Sequence, residues 1–399
     1  MKNLNRRSVL KGAVASAVAG SLPVPAWADG GPLKVGILTP LTGAGGNDGP
    51  RMLKAMQAVF EEVNKAGGVL GSKVETVVED DQTNPEAAVR AARKLIEVDK
   101  VSCIMGTWAS AVTSAVAPVC WESKTFLMTV SGADSISLLP HQGFLVRTQP
   151  TSKLQAISHA TYIAGLGKKR IGIIGIQAPF ALSTKEHIDN YMKSVGGSVV
   201  GHVIYEKDKT TYRSEIDQIM TNKPDFLYLN GYAPDTAVVL RDLWKAGIDL
   251  PKMCQTYAVP QATIDANPPE VSEGVLAAGP SADVDSSAYK LAADRLGVTE
   301  LDGYVAQATD WASLAVLTAA KAKDTTGVAL KDNVRKISQG DGQKVYSATE
   351  GLKLLAAGKE INYEGASGPC DFNEIGDITT CKFRWVQVHN GKLEFLKIV

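Results

Sequence analysis

The chain has 399 residues, which is long enough for two globular lobes with separate hydrophobic cores. Hydrophobic residues make up 45% of it and charged residues 21%, a composition that argues against intrinsic disorder. Lys and Arg together number 42, as do Asp and Glu, so no basic excess favours binding to nucleic acid.

The first 28 residues have the pattern of an export signal. Arg6 and Arg7 precede a weakly apolar run, residues 12–22, in a context that resembles the twin-arginine consensus. Ala26-Trp27-Ala28 is a small-x-small cleavage pattern, so we expect cleavage after Ala28. The apolar run is too short to span a bilayer, and no cysteine stands at the cleavage site to carry a lipid. We therefore expect a soluble protein in the periplasm.

From residue 33 onward, strands and helices alternate. Short apolar runs bounded by Gly and Pro predict buried strands at Leu33–Thr39, Lys73–Glu79, Val101–Met105, Thr125–Val130 and Gly143–Arg147. One helix is predicted to begin near Pro50 and to stop at Gly67-Gly68, and Asn84-Pro85 is typical of the start of another.

The pattern restarts after residues 149–151. Strands are predicted at Arg170–Ile176, Val199–Tyr205, Asp225–Asn230, Met253–Tyr257 and Gly274–Ala278, and a helix again ends at a Gly-Gly pair. Helices at Ser286–Leu296, Gly303–Lys323 and Leu330–Ser338 follow, then a hairpin from Pro369 to His389 and a strand at Leu393–Ile398. Alternating strands and helices predict parallel sheets covered on both faces, here in two lobes of similar topology.

Two successive strands of the first lobe run into loops of small residues, Gly106–Ser110 and Ser131–Asp134, each of which we expect to open a helix. In open parallel sheets, ligands bind outside the carboxyl ends of the strands. The N–H groups of a helix N-terminus suit a carboxylate. The two loops therefore predict half of a small-molecule site.

The five cysteines can pair in an oxidising compartment. Cys370 and Cys381 flank residues 373–377 almost symmetrically, so a hairpin would set them opposite each other, and either a disulfide or two thiols fits this pattern. Cys103 and Cys120 lie at similar depth on a strand and its returning helix, where a disulfide and two reduced core thiols are again both open. No cysteine pair has metal-ligand spacing with the histidines, so we expect no metal and no cofactor.

Motifs along the whole mature chain are shared with one family of binding proteins. They are Lys34–Leu38 with Leu41–Gly43, Ala66–Gly71, Asp80-Asp81, Asn84-Pro85, Gly106–Thr113, Asn230–Tyr232, and Gly368-Pro369 through Phe372 to Gly376-Asp377. In this order they resemble the periplasmic binding proteins of the branched-chain amino acid family, which have the type I periplasmic binding protein fold.

The resemblance implies an α/β fold of two doubly wound parallel-sheet lobes joined by three crossovers, near residues 149–152, 280–283 and 362–368. It assigns residues 29–150 and 283–361 to the first lobe, and residues 151–282 and 362–399 to the second. Family members trap a small-molecule ligand by hinge closure and deliver it to the membrane permease of an ABC transporter. We expect a monomer with those two kinds of partner and no nucleic acid.

The resemblance also implies site residues in the first lobe. Ser110 matches a Ser that binds the ligand carboxylate, with a plain helix N-cap as the alternative. Trp108 and Ala109 precede it, and Trp108 is expected to contact the ligand or to pack between the lobes. Ser131-Gly132-Ala133 matches a segment that offers backbone groups. Asp134 stands where amino acid binders commonly have Thr; we expect it to cap the next helix, or else to meet a ligand amine or hydroxyl.

The second lobe contributes the aromatic candidates Phe180, Tyr232 and Tyr257. Tyr232 matches a family aromatic that closes on the ligand, and Phe180 follows its strand at a corresponding position, with packing as the alternative. Tyr257 aligns with the acid that holds the ammonium group in amino acid binders. Asp48 could replace that acid from the other lobe, although a solvated turn residue is the simpler interpretation.

Four aromatic residues and no clear ammonium acceptor favour an apolar or aromatic carboxylate as the ligand. The alternative is an amino acid, amide or cationic amine, held by Asp134 or Asp48 and an aromatic cage. The sequence lacks the common hydrolase, zinc-protease and phosphate-loop motifs, so we expect no enzyme and no catalytic residue. A ligand-sensing subunit that feeds a receptor is the alternative to transport.

Overall fold

The computed structural model describes residues 31–399, which form two α/β lobes. The export signal and cleavage site predicted for residues 1–28 lie outside this range. Within residues 31–399, every helix is either too short or too polar to cross a membrane.

The sheet of the first lobe has five parallel strands. They are β1 (Lys34–Thr39), β2 (Glu75–Asp80), β3 (Cys103–Gly106), β4 (Phe126–Thr129) and β5 (Leu145–Arg147), in the spatial order β2-β1-β3-β4-β5. All residues of β3 and β4 are buried, as expected of strands with helices on both sides. The register aligns Leu38 with Gly106 and Gly106 with Thr129, so the loops after these strands meet at one edge.

The second lobe repeats this strand order. Its strands are β6 (Arg170–Ile176), β7 (Ser198–Tyr205), β8 (Phe226–Asn230), β9 (Lys252–Gln255) and β10 (Leu276–Pro280), in the parallel order β7-β6-β8-β9-β10. The strands β11 (Gln343–Val345) and β12 (Ile361–Tyr363) form a separate pair, and β13 (Phe383–His389) and β14 (Lys392–Ile398) extend the second sheet antiparallel beyond β10. The predicted fold, two doubly wound lobes, is confirmed.

Helices connect and cover the strands. They are α1 (Gly49–Lys65), α2 (Pro85–Glu97), α3 (Ser110–Glu122), α4 (Ser152–Gly165), α5 (Pro179–Ser194), α6 (Arg213–Met220), α7 (Ala233–Lys245), α8 (Gln261–Asp265), α9 (Pro269–Ser272), α10 (Ser287–Leu296), α11 (Gly303–Ala322), α12 (Gly327–Ser338) and α13 (Ala348–Ala356). Local chemistry sets their ends: the Asn84 side chain accepts a 2.9 Å hydrogen bond from the N–H of Ala87, with Pro85 as the first helical residue. Buried on nearly every side, α11 packs against α1, α12 and α13 of the first lobe.

The chain passes between the lobes three times, and the third passage lies later than predicted. The N–H of Arg147 donates to the Gly376 carbonyl at 2.9 Å. In the same region the buried Asp310 carboxylate accepts a 2.7 Å hydrogen bond from the N–H of Ala366. Residues 364–377 therefore lie against the first lobe, and the chain joins the second sheet only at β13, not near residues 362–368. Sequence motifs alone do not reveal these long-range contacts.

The predicted hairpin between Pro369 and His389 is wrong in its bounds, because β13 pairs with β14 instead. Residues 370–381 form a small turn in which Phe372 pairs with Ile378. That register places Thr380 opposite Cys370, so Cys381 is offset by one residue and its side chain faces the other way. Both cysteines are free thiols in the structure, and the disulfide is not formed.

The other three cysteines are also free thiols, all buried. Burial raises the pKa of the Cys103, Cys120 and Cys254 thiols above the usual value. A thiol that stays protonated inside a core is a small hydrophobic side chain and a poor nucleophile. Cys103 and Cys120 thus contribute packing, without a disulfide between them.

Candidate ligand-binding site

Five aromatic side chains meet where the carboxyl ends of the two sheets face each other. Trp108 and Tyr304 come from the first lobe, and Phe180, Tyr232 and Tyr257 from the second. The Trp108 ring centroid lies 5.2 Å from Tyr232, 5.3 Å from Tyr257 and 6.2 Å from Tyr304. Phe180 lies 5.3 Å from Tyr232 and 6.0 Å from Tyr257. We call these five residues the aromatic cluster.

Secondary structure explains why these rings converge. Trp108 lies in the loop before α3, Phe180 is the second residue of α5, Tyr232 is the N-cap of α7 and Tyr304 is the second residue of α11. Tyr257 occupies a 3₁₀ turn directly after β9. Helix starts that follow parallel strands point toward the ligand crevice of this architecture.

A close-packed loop and a helix cap position Trp108 and Tyr304, the two aromatic residues of the first lobe. A Cβ atom at Gly45 would come within 2.9 Å of Trp108 Cε3, so only glycine lets this loop cover the indole. Asp302 Oδ1 accepts hydrogen bonds from the N–H groups of Tyr304 at 2.9 Å and Val305 at 3.1 Å. This cap fixes the first turn of α11 and with it the position of the Tyr304 ring.

A cavity of about 30 Å³ lies inside the aromatic cluster. The cavity is also lined by Ala109, Ser110, Val130, Gly132, Gln149, Ser152, Gln155, Thr184 and Gln255. No side chain of Asp, Glu, Lys, Arg or His from residues 31–399 lines it. This volume holds about one water molecule, whereas ligand pockets measure about 300 to 1,000 Å³. A ligand therefore enters only when the rings, and with them the lobes, separate.

The cavity wall is uncharged but offers unused hydrogen-bonding atoms. Gln149 Oε1 and Gln255 Oε1 are buried and have no hydrogen-bond partner within the part of the chain that the structure describes. Burial raises the pKa of the Tyr232 and Tyr257 phenols well above the ordinary value, so both stay neutral at pH 7. Buried unpaired polar atoms are costly, and a ligand that pairs with them recovers that free energy.

The N-terminus of α3 contributes the positive end of a helix dipole to the cavity. This helix has 13 residues, and its N-cap residue is Ala109, whose methyl side chain makes no capping hydrogen bond. Its first N–H groups have no intrahelical partner. Ser110, the first residue of α3, lines the cavity, and its Oγ accepts a 3.2 Å hydrogen bond from the N–H of Ala133. A hydroxyl and free N–H groups at a helix start can bind a carboxylate without a cationic side chain.

Buried polar contacts hold the second loop in place. Arg147 Nη1 donates to the carbonyl oxygens of Ser131 at 3.1 Å and Ala133 at 2.8 Å, and the same guanidinium is paired with buried Asp377. Ser131 Oγ donates to the Thr107 carbonyl at 2.9 Å. Of the three loop residues predicted to contact the ligand, Gly132 lines the cavity, whereas Ser131 and Ala133 lie outside its lining and hold the loop in position.

The structure places Asp134 outside the cavity lining. Its Oδ2 lies 2.9 Å from His187 Nε2 on α5, and its Oδ1 accepts a 3.3 Å hydrogen bond from the N–H of Lys153. The loop leads only into a 3₁₀ turn, Asp134–Ile136, in which no side chain makes a cap. Asp134 therefore caps no helix that directly follows it; its carboxylate instead accepts from the first turn of α4 and contacts His187, which connects the first lobe to the second.

Asp48 lies in a neighbouring cavity of about 520 Å³, which we call the side cavity. Tyr257 and Tyr304 line both cavities and separate them. Asp48 Oδ1 is 2.6 Å from Arg51 Nη2, and Arg51 also pairs with Asp302. Burial raises the pKa of Asp48 to about 6. Asp48 is thus a buried, paired carboxyl group, which contradicts its interpretation as a solvated turn residue.

Sequence reasoning missed several residues at this site. Tyr304 is the most important of them, and its signal is an aromatic residue at the second position of a helix, the same position that Phe180 has in α5. Gln149, Ser152 and Gln155 come from the first crossover and the start of α4, a helix that the sequence pattern does not reveal. Among the predicted residues, Trp108, Ala109, Ser110, Gly132, Phe180, Tyr232 and Tyr257 do meet at one cavity.

Comparisons with known proteins agree with this architecture. Residues 32–392 match the family described as periplasmic binding protein. A Pseudomonas aeruginosa protein named leucine-, isoleucine-, valine-, threonine-, and alanine-binding protein is 24% identical, over 94% of this chain and 94% of its own length.

Two solved structures share the fold at low sequence identity. A leucine-binding protein from Thermotoga maritima has a TM-score of 0.77 and 21% identity, covering 92% of this chain and 98% of its own. A solute-binding protein of an ABC transporter from R. palustris, in complex with 4-hydroxybenzoate, has a TM-score of 0.75 and 19% identity, covering 92% and 97%. The matched proteins are binding proteins, and their ligands include both amino acids and an aromatic acid.

Proposed function

The chain belongs to the periplasmic binding protein family, and we propose that it is the ligand-binding subunit of an ABC-type importer for an apolar or aromatic carboxylate. The cavity between the lobes carries this proposal, because it combines five aromatic rings with the N-terminus of α3, and no charged side chain of residues 31–399 lines it. Rings of the protein would pack on the ligand ring, while Ser110 and the α3 N–H groups would bind its carboxylate.

The absence of a carboxylate from the cavity lining within residues 31–399 argues against an amino acid ligand. An α-ammonium group buried in this cavity would lose its hydration without gaining a counter-charge. Amino acid binding is still the second candidate, since the Pseudomonas aeruginosa relative binds amino acids by name and Asp48 lies across the Tyr257–Tyr304 wall.

We further propose that the protein works in the periplasm as a monomer after cleavage at Ala28. The ligand-dependent step would be closure of residues 29–150 with 283–377 on residues 151–282 with 378–399, with delivery of the ligand to a membrane permease. The Asp134–His187 pair connects the two lobes in the closed arrangement.

A thermal-shift screen of the mature protein against benzoate, para-hydroxybenzoate, benzamide, leucine, isoleucine and a polyol tests the proposal. We expect stabilisation by the two benzoates, little by benzamide and none by the amino acids, because ligand binding to the folded state raises its melting temperature. Stabilisation by leucine or isoleucine with no response to the aromatic acids would refute the aromatic-acid assignment in favour of the second candidate.

A further inference from the structure

The side cavity is far larger than the cavity in the aromatic cluster, at about 520 Å³ against about 30 Å³. The two spaces share only Tyr257 and Tyr304, whose rings both contact Trp108. Rotation of one tyrosine ring would join them. The larger space is therefore within reach of a ligand whose head lies in the cluster.

The lining of the side cavity is chemically different from that of the cluster. It contains three acids and two arginines: Asp48, Glu300, Asp302, Arg51 and Arg384. Arg51 pairs with Asp48 and Asp302, and Arg384 pairs with Glu300 across the lobes. Both arginines are thus already matched, and one acid is in excess. This excess negative charge would repel a second carboxylate, whereas a cation would neutralise it.

Resting on the proposed function, we propose that the ligand is an elongated aromatic carboxylate whose far end carries a cationic or hydrogen-bonding tail, and that the side cavity binds this tail. The carboxylate would lie at Ser110, the aromatic ring among the cluster rings, and the tail beyond the Tyr257–Tyr304 wall. Asp48 suits an ammonium group there, because it is buried and shares its arginine with Asp302. Burial also raises the pKa of Asp48, and a cation nearby would reverse that shift.

Calorimetric titration with three probes tests this inference: benzoate, para-(aminopropyl)benzoate and para-(carboxypropyl)benzoate. A charged hydrogen bond changes affinity roughly 10- to 100-fold, so the aminopropyl compound is expected to bind at least about tenfold tighter than benzoate. The carboxypropyl compound is expected to bind more weakly than the aminopropyl compound, because its tail meets the acids.

A cavity-filling variant locates the tail. Ala262 lines the side cavity on α8, and Ala266 stands at the end of the same helix without lining it; both are exposed. Ala262→Trp should remove the tenfold advantage of the aminopropyl probe and leave benzoate affinity unchanged, while the matched control Ala266→Trp should alter neither.

Equal affinities of wild-type protein for benzoate and its aminopropyl derivative would overturn this inference but not the proposed function. So would an aminopropyl advantage that survives Ala262→Trp. If no probe binds the wild-type protein while leucine does, the proposed function fails, and the inference fails with it.

Discussion

Replacing Tyr232 with Ala should remove most of the ligand affinity. Tyr232 stands at the N-cap of α7, and its ring contacts Trp108 across the lobes as well as Phe180 and Tyr257 in its own lobe. It is thus at the centre of the aromatic cluster, where any ligand ring that separates the lobes must touch it. The side chain is only 8% exposed, so the ligand meets a desolvated surface.

The size of the effect follows from the position of the ring. Truncating an aromatic residue at the centre of a desolvated interface typically costs roughly 2 to 4 kcal/mol of binding free energy. At about 1.4 kcal/mol per tenfold change, this predicts a loss of affinity of roughly 30- to 700-fold. Tyr232→Phe keeps the ring and should stay within about threefold of wild type, because the ring rather than the neutral phenol makes the contacts.

Calorimetric titration with para-hydroxybenzoate measures both variants, and a thermal melt confirms that each is folded. Wild-type affinity in a folded Tyr232→Ala variant would show that the ligand binds elsewhere. An equal loss in Tyr232→Phe and Tyr232→Ala would show that a hydrogen bond of the phenol, and not ring packing, determines binding.

Three further changes test other parts of the structure. Ser110→Ala should weaken benzoate binding roughly tenfold and the weaker benzamide binding by a smaller factor, since only the carboxylate loses a charge-assisted hydrogen bond; titration of both compounds decides this, and parallel losses would contradict it. Asp81 is fully buried with one oxygen unpaired within residues 31–399, and burial raises its pKa to about 7, so the native state keeps a proton that the unfolded chain releases above pH 4. Its contribution to the free energy of unfolding therefore falls as pH rises from 4 to 7. Urea denaturation should show that the unfolding free energy of Asp81→Asn, relative to that of the wild type, increases by roughly 3 kcal/mol between pH 5 and pH 8. Identical pH profiles of the two proteins would disprove the assignment. Asp377→Ala leaves the buried Arg147 without its counter-charge and should cost about 3 to 5 kcal/mol of unfolding free energy, whereas Glu61→Ala, which removes an exposed pair, should change it by less than about 1 kcal/mol; similar small effects in both would mean that the buried pair is dispensable.

The sequence predicted most strands of both sheets within about two residues. Buried strands are short apolar runs with Gly and Pro at their ends, and this signal is local. The same local signal found Asn84-Pro85 and the Gly67-Gly68 stop. It failed for α4, α6, α8, α9 and α13, and for the closing hairpin, whose first strand pairs with the distant β10.

The candidate site divides in the same way. Trp108, Ser110, Phe180 and Tyr232 are recognisable in the sequence because each stands at the start of a helix that follows a strand. Tyr304 lacks this signal, since α11 follows the helix α10 and not a strand.

What the sequence by itself determined is therefore the fold class and the pair of loops that face the ligand. Only the tertiary structure decided the roles of the charged residues. It turned Asp134 away from the cavity toward His187, enclosed Asp48 with Arg51 in the side cavity, and placed no charged side chain of the described residues in the lining of the aromatic cavity. The physical reason is that hydrophobic periodicity is a property of neighbouring residues, whereas the environment of a carboxylate depends on which distant groups folding brings within a few ångströms of it.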